Sequence, residues 1–496
     1  MSNNHFLNAF QKFNFIYKTF STEAWKKSST IYALSSGHGK CGVAVVRISG
    51  PCAKLAIENM TNISKLEARK AYLKNIRHPT TNEIIDKGLC LWFPAPHSFT
   101  GEDSVEFQVH GGTAILSALM LALSKLGFRP ALAGEFTKRA FFNDKLDLTE
   151  IEGLADLIHA ETEQQRKQAL IQAHGNLSAL YSTWRSILLK SLSHIEAYID
   201  FGEEENIETE TFKVCNSDLI DLSNKIQKHL LDDRKGEILR NGIKSIILGE
   251  PNVGKSSLLN HLVNRNAAIV TSIPGTTRDI VELTANIAGY PILLADTAGI
   301  NRNTTDIIEK EGIKRAKDQA KMADFIMLVI DASKYKASNQ TFKEYLHNYV
   351  KSLELECLLL KKNNLVNNCI IILNKIDLLN EVDRKNVQKQ NVISISCANE
   401  QGFEKLLETM GKKFEAICGN PTAENPTISQ ERHRNHLQEC HNCLMNYFDM
   451  ISRKNYDVVL AAQEIRKAAR ELGKITGHVS TEEILDIIFK NFCIGK

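Results

Sequence analysis

The 496-residue sequence predicts a multi-domain protein of mixed α+β and α/β class: an amino-terminal α+β domain, a helical bundle, and an α/β nucleotide-binding domain inserted into that bundle. Three observations carry this reading. Short alternating runs separated by Gly and Pro occupy the first third of the chain. In the middle, strand-length apolar runs end one after another in polar, phosphate-binding and base-binding motifs. On both sides of that middle, apolar residues recur at three- and four-residue steps, the period of a helix with one buried face.

Residues 1–29 hold Lys12, Lys18, Lys26 and Lys27 against one acid, Glu23, with many aromatic and hydroxyl residues. That acid-poor, amphipathic character predicts an organelle transit peptide and mitochondrial import, although arginine is absent. From Thr30 the runs Gly42–Ile48, Gly88–Phe93 and Val105–Val109 read as strands, and Thr113–Leu126 as an apolar helix. An α+β domain over 30–148 follows. Thr149-Glu-Ile-Glu152 has the pattern of a capping box and is expected to open a helical region over 149–242, in which Trp184, Leu188, Leu192, Ile195 and Ile199 share a face. The pattern pauses at Glu203-Glu-Glu205 and resumes through about Leu239.

The α/β domain is expected over 243–418. Its first strand hands over to Gly249-Glu-Pro-Asn-Val-Gly254-Lys255-Ser256, a phosphate-binding loop. Glycines let the backbone curl so that N–H groups converge on one phosphate, and the helix from Ser257 adds its positive dipole end. Lys255 suits the β- and γ-phosphates and Ser256 a Mg²⁺ ion, with Asn252, Val253, Gly254 and Ser257 completing the loop. A second strand ends in Asp296-Thr297-Ala298-Gly299, where a carboxylate can hold Mg²⁺ through water and a glycine N–H can face the γ-phosphate. Next come Phe325–Ile330 ending in Asp331, and Cys369–Leu373 ending in Asn374-Lys375-Ile376-Asp377. The Asp377 carboxylate can accept both N1–H and N2–H₂ of guanine, and adenine lacks that amino group. Ser396, Cys397 and Ala398 follow a last strand and are placed to meet the base. The series predicts GTP as the nucleotide.

Helical text returns over 419–496, with Ala461, Ile465, Ala468, Leu472 and Ile475 on one stripe. Ser480-Thr-Glu-Glu483 is expected to cap a last helix with Leu485, Ile488 and Phe492 inward. Composition excludes several classes. No apolar run approaches the ~18 residues of a membrane span. A net charge of +3 excludes a chain that coats polyanions along its whole length, so any RNA contact must be a local patch. Eleven scattered cysteines favour reduced thiols, and the single C-x-x-C, Cys440 to Cys443, lacks the second pair a zinc site needs.

The most specific marks lie outside the nucleotide motifs: Arg47-Ile-Ser-Gly50, Leu91-Trp-Phe-Pro94, Ser98-Phe-Thr-Gly-Glu-Asp103, His110-Gly-Gly112, Gly134-Glu-Phe136, Arg139-Ala-Phe141, Asn143-Asp-Lys-Leu-Asp-Leu148 and the terminal Cys493-Ile-Gly-Lys496. In this order they resemble the MnmE/TrmE tRNA-modification GTPases, mitochondrial branch, over nearly all of 30–496. The resemblance implies a folate-binding-like amino-terminal domain that forms a homodimer, a helical domain and an inserted Ras-like GTPase domain. It implies a matrix enzyme with an FAD-dependent, MnmG-type partner, FAD being bound only by that partner. Together they would modify C5 of the wobble uridine of tRNA by carboxymethylaminomethyl or taurinomethyl addition, using a one-carbon unit from a 5-formyl- or 5,10-methylene-tetrahydrofolate.

Carried over residue by residue, the resemblance implies a folate pocket of Arg47, Glu106, Lys145 and Lys496. It implies a potassium-activated, Mg²⁺-dependent GTPase, with K⁺ held by Asn252, Thr271, Ile273 and Thr276 and Mg²⁺ by Ser256 and Thr277. Thr271, Ser272, Ile273, Pro274, Gly275, Thr276 and Thr277 would form the first switch around the nucleotide, with Arg278 in a structural role. Ile300 stands where many GTPases place a water-orienting glutamine. The resemblance assigns the corresponding acid to Glu309, with Glu311 as the nearby alternative. Cys493 is a conditional catalytic thiol. Two departures stand out: Ser35–Gly42 is poorer in proline and arginine than the family's first loop, and Ala398 replaces a base-stacking lysine. The alternative function is a GTPase acting in ribosome or RNA assembly, which calls for an RNA-binding module such as a KH domain; the terminal bundle argues against it. A purely regulatory switch leaves the amino-terminal domain without a role.

Overall fold

The computed structural model describes residues 29–37, 39–63, 65–201, 209–265, 282–295, 318–361, 364–388, 392–453, 456–479, and 485, 488, 489, 492 and 495. The chain divides into two units, 1–155 with 476–496, and 156–475.

The first unit holds strands β1 (Ile31–Leu34), β2 (Cys41–Ser49), β3 (Tyr72–Arg77), β4 (Ile84–Phe93), β5 (Ser104–Gly111) and β6 (Arg129–Pro130). They form one sheet in the order β3-β4-β5-β2-β1-β6, antiparallel except for the β1–β6 pair. Alternation sets its faces. Ala44, Val46 and Ile48 of β2 and Val105, Phe107 and Val109 of β5 point to one side, where helices α1 (Ala53–Met60) and α2 (Thr113–Lys125) close the core. The three strands read from sequence are β2, β4 and β5, while β1, β3 and β6 carried no clean alternation.

After α3 (Glu135–Phe142), helix α4 (Leu148–His159) begins one residue before the Thr149-x-x-Glu152 pattern. The box is made instead by Asp147 and Glu150: Asp147 Oδ1 accepts from Glu150 N at 2.9 Å, and Glu150 Oε2 accepts from Asp147 N at 2.8 Å. Thr149 donates to Asp147 Oδ1 at 2.7 Å and Thr149 and Glu152 are buried, so neither is free to cap.

Residues 476–496 fall in the first unit. Gly134, at φ +68°, admits Phe489 so closely that a Cβ would lie 2.4 Å from its carbonyl oxygen. Ser35 Oγ donates to Gly495 O at 2.9 Å. Leu485, Phe489 and Phe492 are buried, whereas Ile488 is half-buried; residues 480–483 of the expected cap lie outside the described residues.

The second unit opens with α5 (Glu163–Ala173), α6 (Asn176–Phe201) and α7 (Thr209–Leu230). The helical run expected to reach Leu239 breaks after Leu230 and restarts as α8 (Lys235–Asn241). Strands β7 (Ile243–Leu248), β8 (Glu282–Ile287), β9 (Tyr290–Ala295) and β10 (Phe325–Asp331) follow, with helix α9 (Lys255–Arg265) after β7. Helices α10 (Ala332–Ala337) and α11 (Phe342–Ser352) precede the small pair β11 (Leu360–Lys361) and β12 (Asn364–Leu365), then β13 (Cys369–Asn374) and β14 (Ile393–Ser394). The large sheet runs β14-β13-β10-β7-β9-β8, parallel except for β8. Every residue of β10 is buried because both faces are covered: Phe325, Met327 and Val329 join one core, and Ile326, Leu328 and Ile330 the other.

Helix α12 (Phe403–Cys418) closes the first of those cores through Phe403, Leu406, Met410 and Phe414. Beyond it, α13 (Glu431–Ile451) and α14 (Val458–Thr476) pack with α6 and α7 around Tyr181, Leu188, Leu222, Leu444, Ile465 and Leu472. Both predicted stripes lie in this one core. Cys440 and Cys443 are buried in it, and burial pushes the Cys443 thiol above its ordinary range.

Candidate nucleotide and amino-terminal sites

Parallel strands present their carboxyl ends along one edge of a sheet, and in the second unit that edge collects the polar motifs. Register sets Asp331 at the end of β10 beside Asn374 at the end of β13. The phosphate loop leaves β7 through Gly249, whose added Cβ would lie 2.4 Å from Val329 O on the neighbouring strand. Asn252 turns in the left-handed region at φ +64°, Gly254 at φ +97°. Ser256 and Ser257 lie exposed in the first turn of α9, and Val253 is buried. Lys255 Nζ donates to Gly249 O at 2.9 Å and Glu250 O at 2.8 Å, which folds the cation over the loop; burial lowers its pKa, against an opposing pull from Glu250.

Asn374 joins this loop to the base-reading loops. Its Nδ2 donates to Val253 O at 2.8 Å, and its Oδ1 accepts from Cys397 N at 3.1 Å. A Cβ on Gly254 would sit 2.2 Å from Asn374 Nδ2, so this position requires glycine for space as well as for φ. Lys375, at φ +66°, places its Nζ 2.8 Å from Asp331 Oδ2. Burial pushes the Asp331 carboxyl up, but hydrogen bonds from Lys375 and Ser333 outweigh it and hold the pKa below the usual range. Asp377 Oδ1 accepts from Ser396 Oγ at 2.5 Å, which fixes the carboxylate, and its second oxygen has no such bond among the described residues. Ala398, two residues after Ser396, is exposed. The arrangement is a phosphate cradle, a carboxylate for a base edge and a clamp between the two. It suits a guanine nucleotide.

Sequence reasoning missed three supports of this edge. Tyr349 of α11 is buried, accepts from Glu250 N at 2.8 Å and donates to Val329 O at 2.8 Å, tying the start of the phosphate loop to β10. His261 of α9 places Nε2 2.8 Å from Cys397 O. Lys334 pairs with Glu250 at 2.8 Å. None has a fixed spacing from a motif, so only tertiary contact could reveal them. Thr271 to Thr277, Asp296 to Gly299, Arg278, Glu309 and Glu311 lie outside the described residues.

In the first unit, Arg47 and Glu106 face each other across β2 and β5, with Nε 3.0 Å from Oε1. The Arg47 guanidinium lies over the Phe99 ring at 5.2 Å. Two residues on, Gly101 packs so tightly that a Cβ would meet Lys145 Cε at 3.3 Å and Asn143 Cβ at 2.8 Å. Three of the four proposed folate residues therefore gather around one loop, 98–103. Other marked residues are structural. Glu102 accepts from Arg139 at 2.8 Å, and Glu135, paired with Arg129 and Arg139, is held at about 2 despite burial. Gly495 lies against Leu34 O at the end of β1, while Cys493 and Lys496 themselves lie outside the described residues.

Residues 30–145 match the family described as GTP-binding protein TrmE N-terminus, and residues 148–493 match the MnmE helical domain family. The chain belongs to the MnmE/TrmE family. Within that family, it is 44% identical over 490 residues to "5-taurinomethyluridine-[tRNA] synthase subunit GTPB3, mitochondrial" of Danio rerio, a match that covers 97% of this chain and 96% of that protein. The Homo sapiens protein of the same name is 43% identical, with 94% of this chain and 93% of its own length covered. "tRNA modification GTPase MnmE" of Rickettsia rickettsii is 46% identical over 94% of this chain and 100% of its own.

Proposed function

We propose that this chain is a mitochondrial GTP hydrolase that modifies C5 of the tRNA wobble uridine together with an FAD-dependent partner of the MnmG type. The observation that carries the reading is the Asn374 clamp, which joins a phosphate cradle to a guanine-reading carboxylate in a chain whose full-length relatives are named for tRNA modification. The names of the vertebrate relatives favour a taurinomethyl group. They also favour the mitochondrion, in agreement with the acid-poor leader. The domain layout proposed is a transit peptide (1–29), a homodimerising folate-binding-like domain (30–148), a helical domain (149–242 and 419–496) and an inserted GTPase domain (243–418).

Lys255 and the loop N–H groups hold the phosphates, and the exposed Ser256 hydroxyl, with Thr277, is suited to Mg²⁺. Asn252, left-handed and exposed, turns its side chain away from the packed core, as a K⁺ ligand with Thr271, Ile273 and Thr276 requires. Such a cation supplies positive charge where negative charge grows between the β- and γ-phosphates. Glu309 orients the attacking water. In the first unit, Glu106 suits a pterin edge, and Arg47, Lys145 and Lys496 suit a glutamate tail. When bound, the folate supplies the one-carbon unit. Arg47 already holds Glu106 at 3.0 Å, so the carboxylate is oriented before any ligand arrives. Cys493 enters only if the transfer uses a protein thiol.

The test is mass spectrometry of wobble uridines in mitochondrial tRNA after depletion and re-expression. Wild type should restore the C5 modification, and Glu309→Ala should not, because its hydrolysis should be about a hundredfold slower with analogue binding unchanged. Unchanged modification after depletion would reject the reading.

A further inference from the structure

A cavity of about 190 Å³ lies within the second unit, walled by residues of α4, α5 and α8. His159 is among the lining residues, and most of the other polar groups can be accounted for one at a time. Asp156 accepts from Arg240 Nε at 2.8 and 2.9 Å and from Gln430 Nε2 at 3.0 Å. The Gln165 amide donates to Arg240 O at 3.0 Å, and Gln172 Oε1 accepts from Ser429 Oγ at 2.5 Å. Gln168 is different. It is only 6% exposed, its Nε2 donates to Gly236 O at 3.0 Å, and its Oε1 has no partner among the described residues. Flipping the amide would set carbonyl against carbonyl at Gly236, so the unpaired group is an acceptor. Arg240, with Nε on Asp156 and Nη1 on Asn241, keeps Nη2 without a hydrogen bond among the described residues.

A buried acceptor without a donor is costly, and the cavity far exceeds the ~30 Å³ share of one water. A cation and an unpaired acceptor among the lining residues, with Ala160 and Ala169 as apolar lining, call for a flat molecule carrying an N–H beside a carbonyl. Two of its neighbouring segments lead toward the GTP edge. Arg240 lies just before β7, the strand that delivers the phosphate loop. In the first turn of α5, next to Gln165, Gln164 N donates to Gly289 O at 3.1 Å in the β8–β9 turn, and β9 precedes Asp296 in the chain.

We propose that this cavity binds a planar lactam or ureide, the edge a uracil base presents, and that its occupancy reaches the GTP edge through α5 and α8. The carbonyl accepts from Arg240 and the N–H donates to Gln168 Oε1. The proposal does not rest on tRNA modification, since a free nucleoside offers the same edge as an RNA base.

The test uses the full-length protein saturated with GDP, titrated by calorimetry with uridine, 3-methyluridine and a short uridine-containing RNA, followed by GTP turnover with each added. Uridine should bind saturably, and 3-methyluridine, whose N–H is blocked, about tenfold or more weakly. Gln168→Met should weaken uridine similarly; Arg240→Gln, at a partly exposed position, repeats the test in case the first variant folds poorly. Turnover should change several-fold at saturation. Tighter binding of the RNA than of uridine assigns the site to RNA, and equal binding assigns it to a free nucleoside. Equal affinity for uridine and 3-methyluridine, or a cavity that holds water only and gives no saturable binding, overturns the proposal. Binding without any change in turnover overturns the coupling to the GTP edge.

Discussion

Asn374 makes the phosphate loop and the base loop one object, and a Cβ added to Gly254 would lie only 2.2 Å from Asn374 Nδ2. Asp377 is held beside this clamp by Ser396 at 2.5 Å, so its carboxylate is oriented before a base arrives. Asp377→Asn should cost about 1–3 kcal/mol, or roughly ten- to a hundredfold in GTP affinity, while improving xanthosine triphosphate binding; competition with a fluorescent nucleotide reads both. Unchanged GTP affinity would remove Asp377 from base reading. Asn252 supports a second expectation. GTP turnover should be several-fold faster in K⁺ than in Na⁺ at equal ionic strength, and Asn252→Ala should flatten the difference without abolishing nucleotide binding. Equal wild-type rates in the two salts would sink the potassium mechanism.

At the scale of elements, helix α4 shows how a motif can be read one step out of place. Asp147-x-x-Glu150 and Thr149-x-x-Glu152 both satisfy the capping pattern, and the pattern alone favours threonine as readily as aspartate. Burial decided between them, because Thr149 is fully buried and Glu152 nearly so. Asp147→Ala removes the acceptor for Glu150 N and should destabilise the first unit by about 1 kcal/mol in chemical denaturation. No change on that substitution would show that Asp147 is not the cap. The same limit applies to β1, β3 and β6, which no clean alternation marks: β6 has only two residues and β1 four, and half of β3 is exposed.

Across the whole molecule, the charges buried in the helical core set how the fold meets acid. His229 lies against Tyr181 and Trp184, and burial lowers its pKa to about 4; Arg434 and His433 push the same way, and Asp232 opposes them. Above its ordinary value of about 6.5 the group is neutral folded or unfolded. As pH falls below that, the unfolded chain takes up a proton that the folded chain refuses until about 4, so stability is lost through this window, by about 3 kcal/mol at most. The melting temperature of His229→Gln should therefore fall less than that of wild type between about pH 7 and about pH 5; parallel curves would contradict the assignment. What the sequence determined by itself was local and periodic. Strand-end motifs, helical stripes and the phosphate loop are written in neighbouring residues, so the central strands of the large sheet and the residues of its binding edge could be named from text alone. What only tertiary structure decided was which distant residues meet. Tyr349 reaches the phosphate loop from a helix almost a hundred residues away, Phe489 and Gly495 return to the amino-terminal unit, and Gln168 Oε1 has no donor among the described residues. Such contacts depend on packing and on the pairing of buried polar groups, and no spacing along the chain encodes them.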